Sequence, residues 1–460
     1  MRAEPLLVAG GSVAALAAAD AALRNDRPVE LLLPRRGVGG GFRPLEVRGR
    51  RLGVGVRLLE LDREDAAPPP PLAAYRPGPS AHAPYVRLVA EWVEGLVNGR
   101  LSEVDRPAMA LDGRIRDDIY FTVDLDGLRE VMGEAEATRT VAEAGAARRA
   151  GGDAGVLGDG RDLLACTLEE ASRTNHGSTF HRRFIAPMCA KIHPGGARIV
   201  PAALRRKVWM PLFHPATVER AAAGLPTGYR PRRPFHTVEP GGMGDVVEAL
   251  IARVQVSPRV TITPVGPLES AVRTAGGAVE MHFEGGLVRR AHRPVIGVGA
   301  DELFRAVGVS YRPGRVPMAL AWAEVDEADL LAAPSLLHAP DPEIPAFRIS
   351  AGEAGVPGRR LLVLELRHDT TPEGVEAAVR TSLHGTGLVR EGAPVELVHH
   401  LIGPGAPDPS RAALRAFQAA RAELVGADLP AEIVGGASAF GADSFNEQVV
   451  QGLRAEEATR

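Results

Sequence analysis

Short apolar runs alternating with glycine turns organise the first forty residues of the chain. Leu6 to Ala9 is apolar, Gly10, Gly11 and Ser12 follow, and Val13 to Leu23 is rich in alanine. Asn25 to Pro28 break that run, Val29 to Leu33 is apolar again, and Gly37 to Phe42 closes the stretch. The pattern predicts strand, glycine turn, helix, loop and strand, a βαβ unit of dinucleotide-binding type. Gly10 suits the tight turn, and the small Ala15 lets the helix approach the sheet. The first-turn N–H groups point where a pyrophosphate would sit. Any parallel sheet needs a small-residue turn here, so the turn alone does not establish a ligand.

Further along, Leu45 to Leu61 alternates apolar and basic residues, which predicts short strands around Gly53 and Gly55. Ala66 to Pro84 is proline-rich and reads as a stiff surface loop leaving the first domain. Tyr85 to Val97 has helical spacing, and Glu134 to Gly160 reads as a helix followed by a mobile loop. Thr167 is placed to cap a helix with Glu169 and Glu170 in its first turn. The aromatic and proline-punctuated stretch from Phe180 to Pro215 fits either a cap over a ligand site or an ordinary helical core. Phe235 to Gly244 predicts a strand and a glycine turn, Asp245 to Val254 a helix, and Val260 to Val265 a strand. A hairpin meander over Ala271 to Arg293 and a strand at Pro294 to Gly299 follow. Strands are expected at Val316–Val325, Leu361–Arg367, Val395–Ile402 and Ile433–Gly436. Helices are expected at Pro372–Leu383, Ala412–Leu424 and Phe445–Ala458. Interleaved strands and helices make the class α/β, a Rossmann-like dinucleotide domain with a mixed-sheet and helical second domain.

Composition narrows the function classes. With 460 residues, more than one domain is expected. A formal charge of -3, from 54 basic and 57 acidic residues, argues against a nucleic-acid binder. Two cysteines, Cys166 and Cys189, provide neither a disulfide framework nor a multi-cysteine zinc site. Cys189 and His193 share a helix-face spacing, but two ligands do not make a metal site, so no metal is expected. No apolar run approaches the roughly 18 residues needed to span a bilayer, and a soluble, cytoplasmic protein is expected. The basic stretch Tyr229 to Arg233 reads as a solvated loop, and His399-His400 sits on a strand where it could face a ligand.

In motif order the sequence resembles the flavin-containing amine oxidase superfamily, with relatives such as protoporphyrinogen oxidase, phytoene desaturase and UDP-galactopyranose mutase. Four blocks carry the likeness: Val8 to Ala19; Val38-Gly39-Gly40-Gly41-Phe42; Pro240-Gly241-Gly242-Met243-Gly244 with Val260 to Val265; and Ile433 to Gly452. The resemblance implies a discontinuous FAD-binding-like domain over residues 1–62, 235–309 and 412–460. Residues 63–234 and 310–411 would then form the substrate domain. It implies FAD as cofactor, a small-molecule substrate, and contacts from Gly10, Gly11, Ser12, Ala15, Gly39, Gly40, Val265, Gly435 and Gly436. Val265 matches a family position that meets adenine through its main chain.

The sequence departs from the family where the cofactor would be touched. Ser12 stands at the second glycine of the fingerprint, where a Cβ intrudes on the pyrophosphate. Leu33, followed by Pro34, stands where an acidic residue accepts hydrogen bonds from ribose. Gly435-Gly436 replaces a Gly-Asp pair, and a frequent aspartate near Gly53 to Gly55 is absent. Neither Lys191 nor Lys207 falls where the amine oxidases carry a lysine, so the catalytic residues stay unassigned. The leading expectation is an FAD-dependent oxidoreductase-like enzyme, a dehydrogenase, desaturase or oxidase. Two alternatives stand beside it: a member that has lost FAD and does non-redox chemistry, or a non-catalytic partner subunit. A homo-oligomer is compatible with each.

Overall fold

The computed structural model describes residues 4–56, 58–61, 68–121, 125–158, 162–227, 235–239, 241–352 and 356–460. The Tyr229–Arg233 loop, Pro240, and the ends of the stretches expected at 66–84 and 134–160 lie outside the described residues. The chain divides into two compact units. One comprises Met1–Glu103, Pro234–Gly314 and Ala412–Arg460, the other Val104–Arg233 and Arg315–Arg411.

In the first unit, β1 (Leu6–Ala9), α1 (Val13–Arg24) and β2 (Val29–Pro34) form the βαβ unit. They join β3 (Val260–Val265), β4 (Val295–Ile296) and β5 (Glu432–Ile433) in one parallel sheet of order β3-β2-β1-β4-β5. The strand order reverses between β1 and β4, so a crevice opens at their carboxyl ends, where ligands of such sheets bind. Helices α2 (Val86–Val97), α3 (Gly242–Gln255), α4 (Arg411–Gly426) and α5 (Phe445–Ala458) belong to the layers around this sheet.

The alanines of α1 serve close packing. A side chain at Gly452 of α5 would place its Cβ 2.3 Å from the Ala14 carbonyl oxygen, so the two helices meet backbone to backbone. One face of the sheet is covered by α1, α2, α3 and α5 through Leu16, Val89, Trp92, Val246, Leu250 and Val449. Asp20, the one charge inside α1, is buried but accepts from Trp92 Nε1 at 3.0 Å and from Arg253 at 2.7 and 2.8 Å. The opposite face packs on the meander Leu268–Arg273, Val279–Phe283, Leu287–Ala291, with Phe304 and α4 residues Phe417, Ala420 and Leu424.

Residues 68–103 lie in this first unit rather than the second, because the apolar face of α2 completes the cover over α1. Tyr75, within the proline-rich stretch expected at the surface, is buried. Strands Leu45–Val47, Arg50–Leu52 and Leu59–Glu60 flank Gly53 and Gly55 rather than include them.

The second unit is built on a seven-stranded sheet. Its order is Glu396–Pro407, Arg315–Asp326, Arg359–Leu366, Ala346–Ala351, Leu336–His338, Ala108–Leu111, Arg114–Asp117. All pairs are antiparallel except Leu336–His338 with Ala108–Leu111. One face is apolar and packs on helix Val375–Gly385 through Val375, Val379 and Leu383. Helix Leu168–Phe180 begins with a capping box in which Thr167 and Glu170 satisfy each other's backbone N–H groups.

Candidate functional site

The crevice of the first unit is lined by three glycine-bearing turns. Gly10 has φ +125°, and a Cβ there would lie 2.4 Å from the Gly297 carbonyl carbon, so no side chain is tolerated. The turn after β2 closes onto this bend: Gly39 N–H donates to the Gly11 carbonyl at 2.7 Å, with Gly39 at φ +83°. The third turn, Gly435–Ala437, follows β5, and a Cβ at Gly435 would meet the Ser12 hydroxyl at 3.4 Å. Gly10, Gly11, Ser12, Gly39 and Gly435 therefore lie together. Ala15 is fully buried, with its methyl 2.8 Å from where a Cβ of Gly297 would stand. Val265 sits apart at the end of β3, paired with Pro34 of β2. Gly40 and Gly436 border open space, with no atom within 4 Å of an added Cβ.

Several polar groups of this crevice are committed to the protein itself. Ser12 caps α1, and its Oγ accepts the Ala15 N–H at 3.2 Å. The Ala14 N–H donates to Gln448 Oε1 at 3.4 Å, and the Gly435 N–H donates to Gln451 Oε1 at 2.6 Å. The Val265 carbonyl accepts the Arg35 N–H at 3.3 Å. Leu33, at the ribose-side end of β2, is half-buried and packs with the apolar cluster of the unit. An unliganded anion site at a helix N-terminus exposes its N–H groups. Here Ala14 and Ala15 have theirs occupied by side chains.

Sequence reasoning missed these two glutamines. Both lie on α5; Gln448 serves Ala14, 434 positions earlier, and Gln451 serves Gly435, 16 positions earlier, and nothing local marks either as such a partner.

The second unit carries a buried polar ladder on the sheet face away from helix Val375–Gly385. Register places His338 opposite Arg348, and Arg348 opposite Glu365. Arg348 makes a bidentate pair with Glu365 at 3.1 and 2.5 Å and lies 3.6 Å from the centre of the Trp209 ring. Burial lowers the Arg348 pKa against the raising effect of Glu365. His338 Nδ1 lies 2.8 Å from Asp118 Oδ1, between the rings of Tyr120 and Phe121, and both partners are fully buried. His338 Nε2 and Arg348 Nη1 have no hydrogen-bond partner among the described residues.

Other candidate side chains are engaged within the protein. Lys191 is buried, donates from Nζ to the Ala339 and Ala346 carbonyls at 2.5 and 3.0 Å, and is pushed down to about 7 by burial. Cys189 is buried in apolar surroundings that push its thiol up. His193 faces Asp408 at 3.3 Å and accepts the Gly195 N–H, and burial lowers its pKa. His399 stacks on Trp322, its cross-strand partner, at 5.7 Å. The neutral His176 accepts the Phe213 N–H at Nε2 (2.7 Å), so its Nδ1–H faces Ser172 Oγ at 3.1 Å, and burial lowers it to about 3.

The parallel sheet, the discontinuous first unit and the mixed second sheet define the fold of the FAD-binding Rossmann-type flavoenzymes, as the sequence resemblance implies. Among solved structures, reduced UDP-galactopyranose mutase is similar with a TM-score of 0.73 and 14% identity, over 100% of this chain and 94% of that one. An oxidoreductase from Methanosarcina mazei is similar with a TM-score of 0.61 and 14% identity, over 98% and 99% of the two chains. Putrescine oxidase bound to putrescine is similar with a TM-score of 0.57 and 15% identity, over 99% and 98%. At these identities the likeness concerns the fold. No family model matches the sequence, and no curated protein matches it. No helix among the described residues is long and apolar enough to cross a membrane.

The residues of the crevice do not fit FAD held as that resemblance implies. The first-turn donors at Ala14 and Ala15 are taken, Leu33 offers a ribose no acceptor, and the Val265 carbonyl is engaged.

Proposed function

We propose that the chain is a flavoenzyme-fold protein that acts on a small metabolite by non-redox chemistry, without a tightly held FAD. The observation that carries this reading is the pairing of Ala14 and Ala15 with Gln448 and Ser12. A pyrophosphate would have to displace these partners to gain the Ala14 and Ala15 donors.

The test is titration of the purified protein with FAD and with ADP, followed by flavin fluorescence and calorimetry. No saturable binding is expected below about 100 μM, a free energy near 5.5 kcal/mol. Stoichiometric flavin retained through purification, with absorbance near roughly 450 nm, overturns the reading. A second reading, FAD held through backbone contacts in an oxidoreductase, is favoured by the open space beside Gly40 and Gly436. Micromolar FAD affinity would support it.

A further inference from the structure

A separate cleft of the first unit, about 410 Å³ in volume, lies beside the edge strand β5. Tyr75, Arg76, Arg421, Glu432, Ser438 and Arg454 line it. Its charges do not balance. Glu432 serves two guanidinium groups, Arg454 at 2.8 Å and Arg293 at 2.9 Å. Asp428, also on the wall, is paired with Arg273. Arg76 donates from Nη1 to the Ala73 and Tyr75 carbonyls and to no carboxylate. Arg421 donates from Nε to the Ser438 carbonyl at 3.2 Å, and burial without an ion partner lowers its pKa. The wall thus carries three arginines against two carboxylates, with Arg76 and Arg421 in no ion pair among the described residues.

Polar donors face the same space. The Tyr75 hydroxyl is buried on the wall beside Gln451, whose amide also serves Gly435, Ser438 and Ala442. Arg454 Nε is buried there without a hydrogen-bond partner among the described residues. A desolvated guanidinium is stabilised by an opposite charge that accepts from its fork, and a buried donor by any acceptor.

We propose that this cleft binds the phosphate group of a small phosphorylated molecule, with Arg421 and Arg76 as the charged grips and the Tyr75 hydroxyl as a neutral donor. The volume suits a ligand of sugar-phosphate size. Glu432 sets a polar limit at one end, which disfavours a long polyanion. This site is distinct from the crevice at Gly10, and the proposal stands whether or not FAD binds there.

The experiment is calorimetric titration of the full chain with inorganic phosphate and with glucose 6-phosphate, alongside glucose. Saturable binding of the phosphorylated probe at or below about 1 mM, with none of glucose, is expected. Arg421→Gln and Arg76→Gln should each weaken it about tenfold or more, and Tyr75→Phe about threefold. Arg290→Gln, remote from the cleft, should leave it unchanged. Circular dichroism separates unfolded variants from folded ones, and the exposed Arg76 gives a variant that spares the core. Absence of phosphate binding in the wild-type chain overturns the proposal. So does binding that survives both arginine substitutions in folded protein.

Discussion

Gln448 on the last helix accepts the backbone N–H of Ala14 on the first, across 434 positions of sequence. The bond is long at 3.4 Å, yet it closes one of the donors that a dinucleotide fold offers to phosphate. Gln448 also donates from Nε2 to the Asp443 carbonyl at 3.1 Å, which holds the amide in this orientation.

Replacing Gln448 by Ala should therefore act in two directions. The Ala14 N–H loses its partner, which costs about 1–3 kcal/mol where water does not replace it. ADP should bind the variant more tightly than it binds the wild type. Urea midpoints and calorimetry measure the two effects. Lower stability with no gain in nucleotide affinity would show that Gln448 is not what keeps the nucleotide out.

Gly10→Ala should be severely destabilising. Its Cβ would enter the backbone of Gly297 at 2.4 Å, and φ +125° is strained for any L side chain. A loss above about 2 kcal/mol, or failure to express as soluble protein, is expected. A near-neutral urea midpoint would mean that β1 and β4 are farther apart than described.

Breaking the Arg348–Glu365 pair should cost more than removing it. Arg348→Met leaves a buried carboxylate and should lower stability by about 3–5 kcal/mol. The double substitution Arg348→Met with Glu365→Leu should recover most of that loss. Equal losses in the single and double variants, by chemical denaturation, would contradict a coupled buried pair.

Acid should weaken the second unit through His176. Its folded pKa is lowered to about 3 by burial, below the 6.5 of a free imidazole. The unfolded chain therefore binds the extra proton first, so stability is full above about pH 6.5 and falls as pH drops toward 3. The slope for a fully buried histidine approaches roughly 1.4 kcal/mol per pH unit within that window. His181, lowered to about 4 by burial, adds in the same direction. Urea midpoints at pH 7, 6 and 5 test this, and His176→Gln should flatten the profile.

Much of the first unit was legible because its signals are local. The turn at Gly10, the alanines of α1 and the apolar run of β2 specify the βαβ unit within some thirty residues. The meander after β3 was legible from its glycine pairs. Strands Leu336–His338 and Ala346–Ala351 were missed, since each is short and stands among prolines and polar residues; their pairing is decided by neighbouring strands. The assignment of α2 to the first unit depended on which surface its apolar face covers, and helical spacing gives no target. The glycines of the three turns stood out in the sequence, but the glutamines that take the Ala14 and Gly435 N–H groups did not. The ladder of His338, Arg348 and Glu365 was invisible for the same reason, because register across three strands brings it together.

The edge strand β5 and the capping helix α5 both come from residues 432–458, while α5 packs on α1 near the start of the chain and β5 pairs with β4 at Val295–Ile296. During synthesis, then, α1 emerges long before its neighbour α5 exists, and its alanine surface must wait uncovered. A nascent chain halted before residue 432 would hold an open-sided sheet, with Gly452 not yet there to receive Ala14. Translation pauses or truncations near the carboxyl end should thus expose the oldest part of the molecule to chaperones rather than the newest.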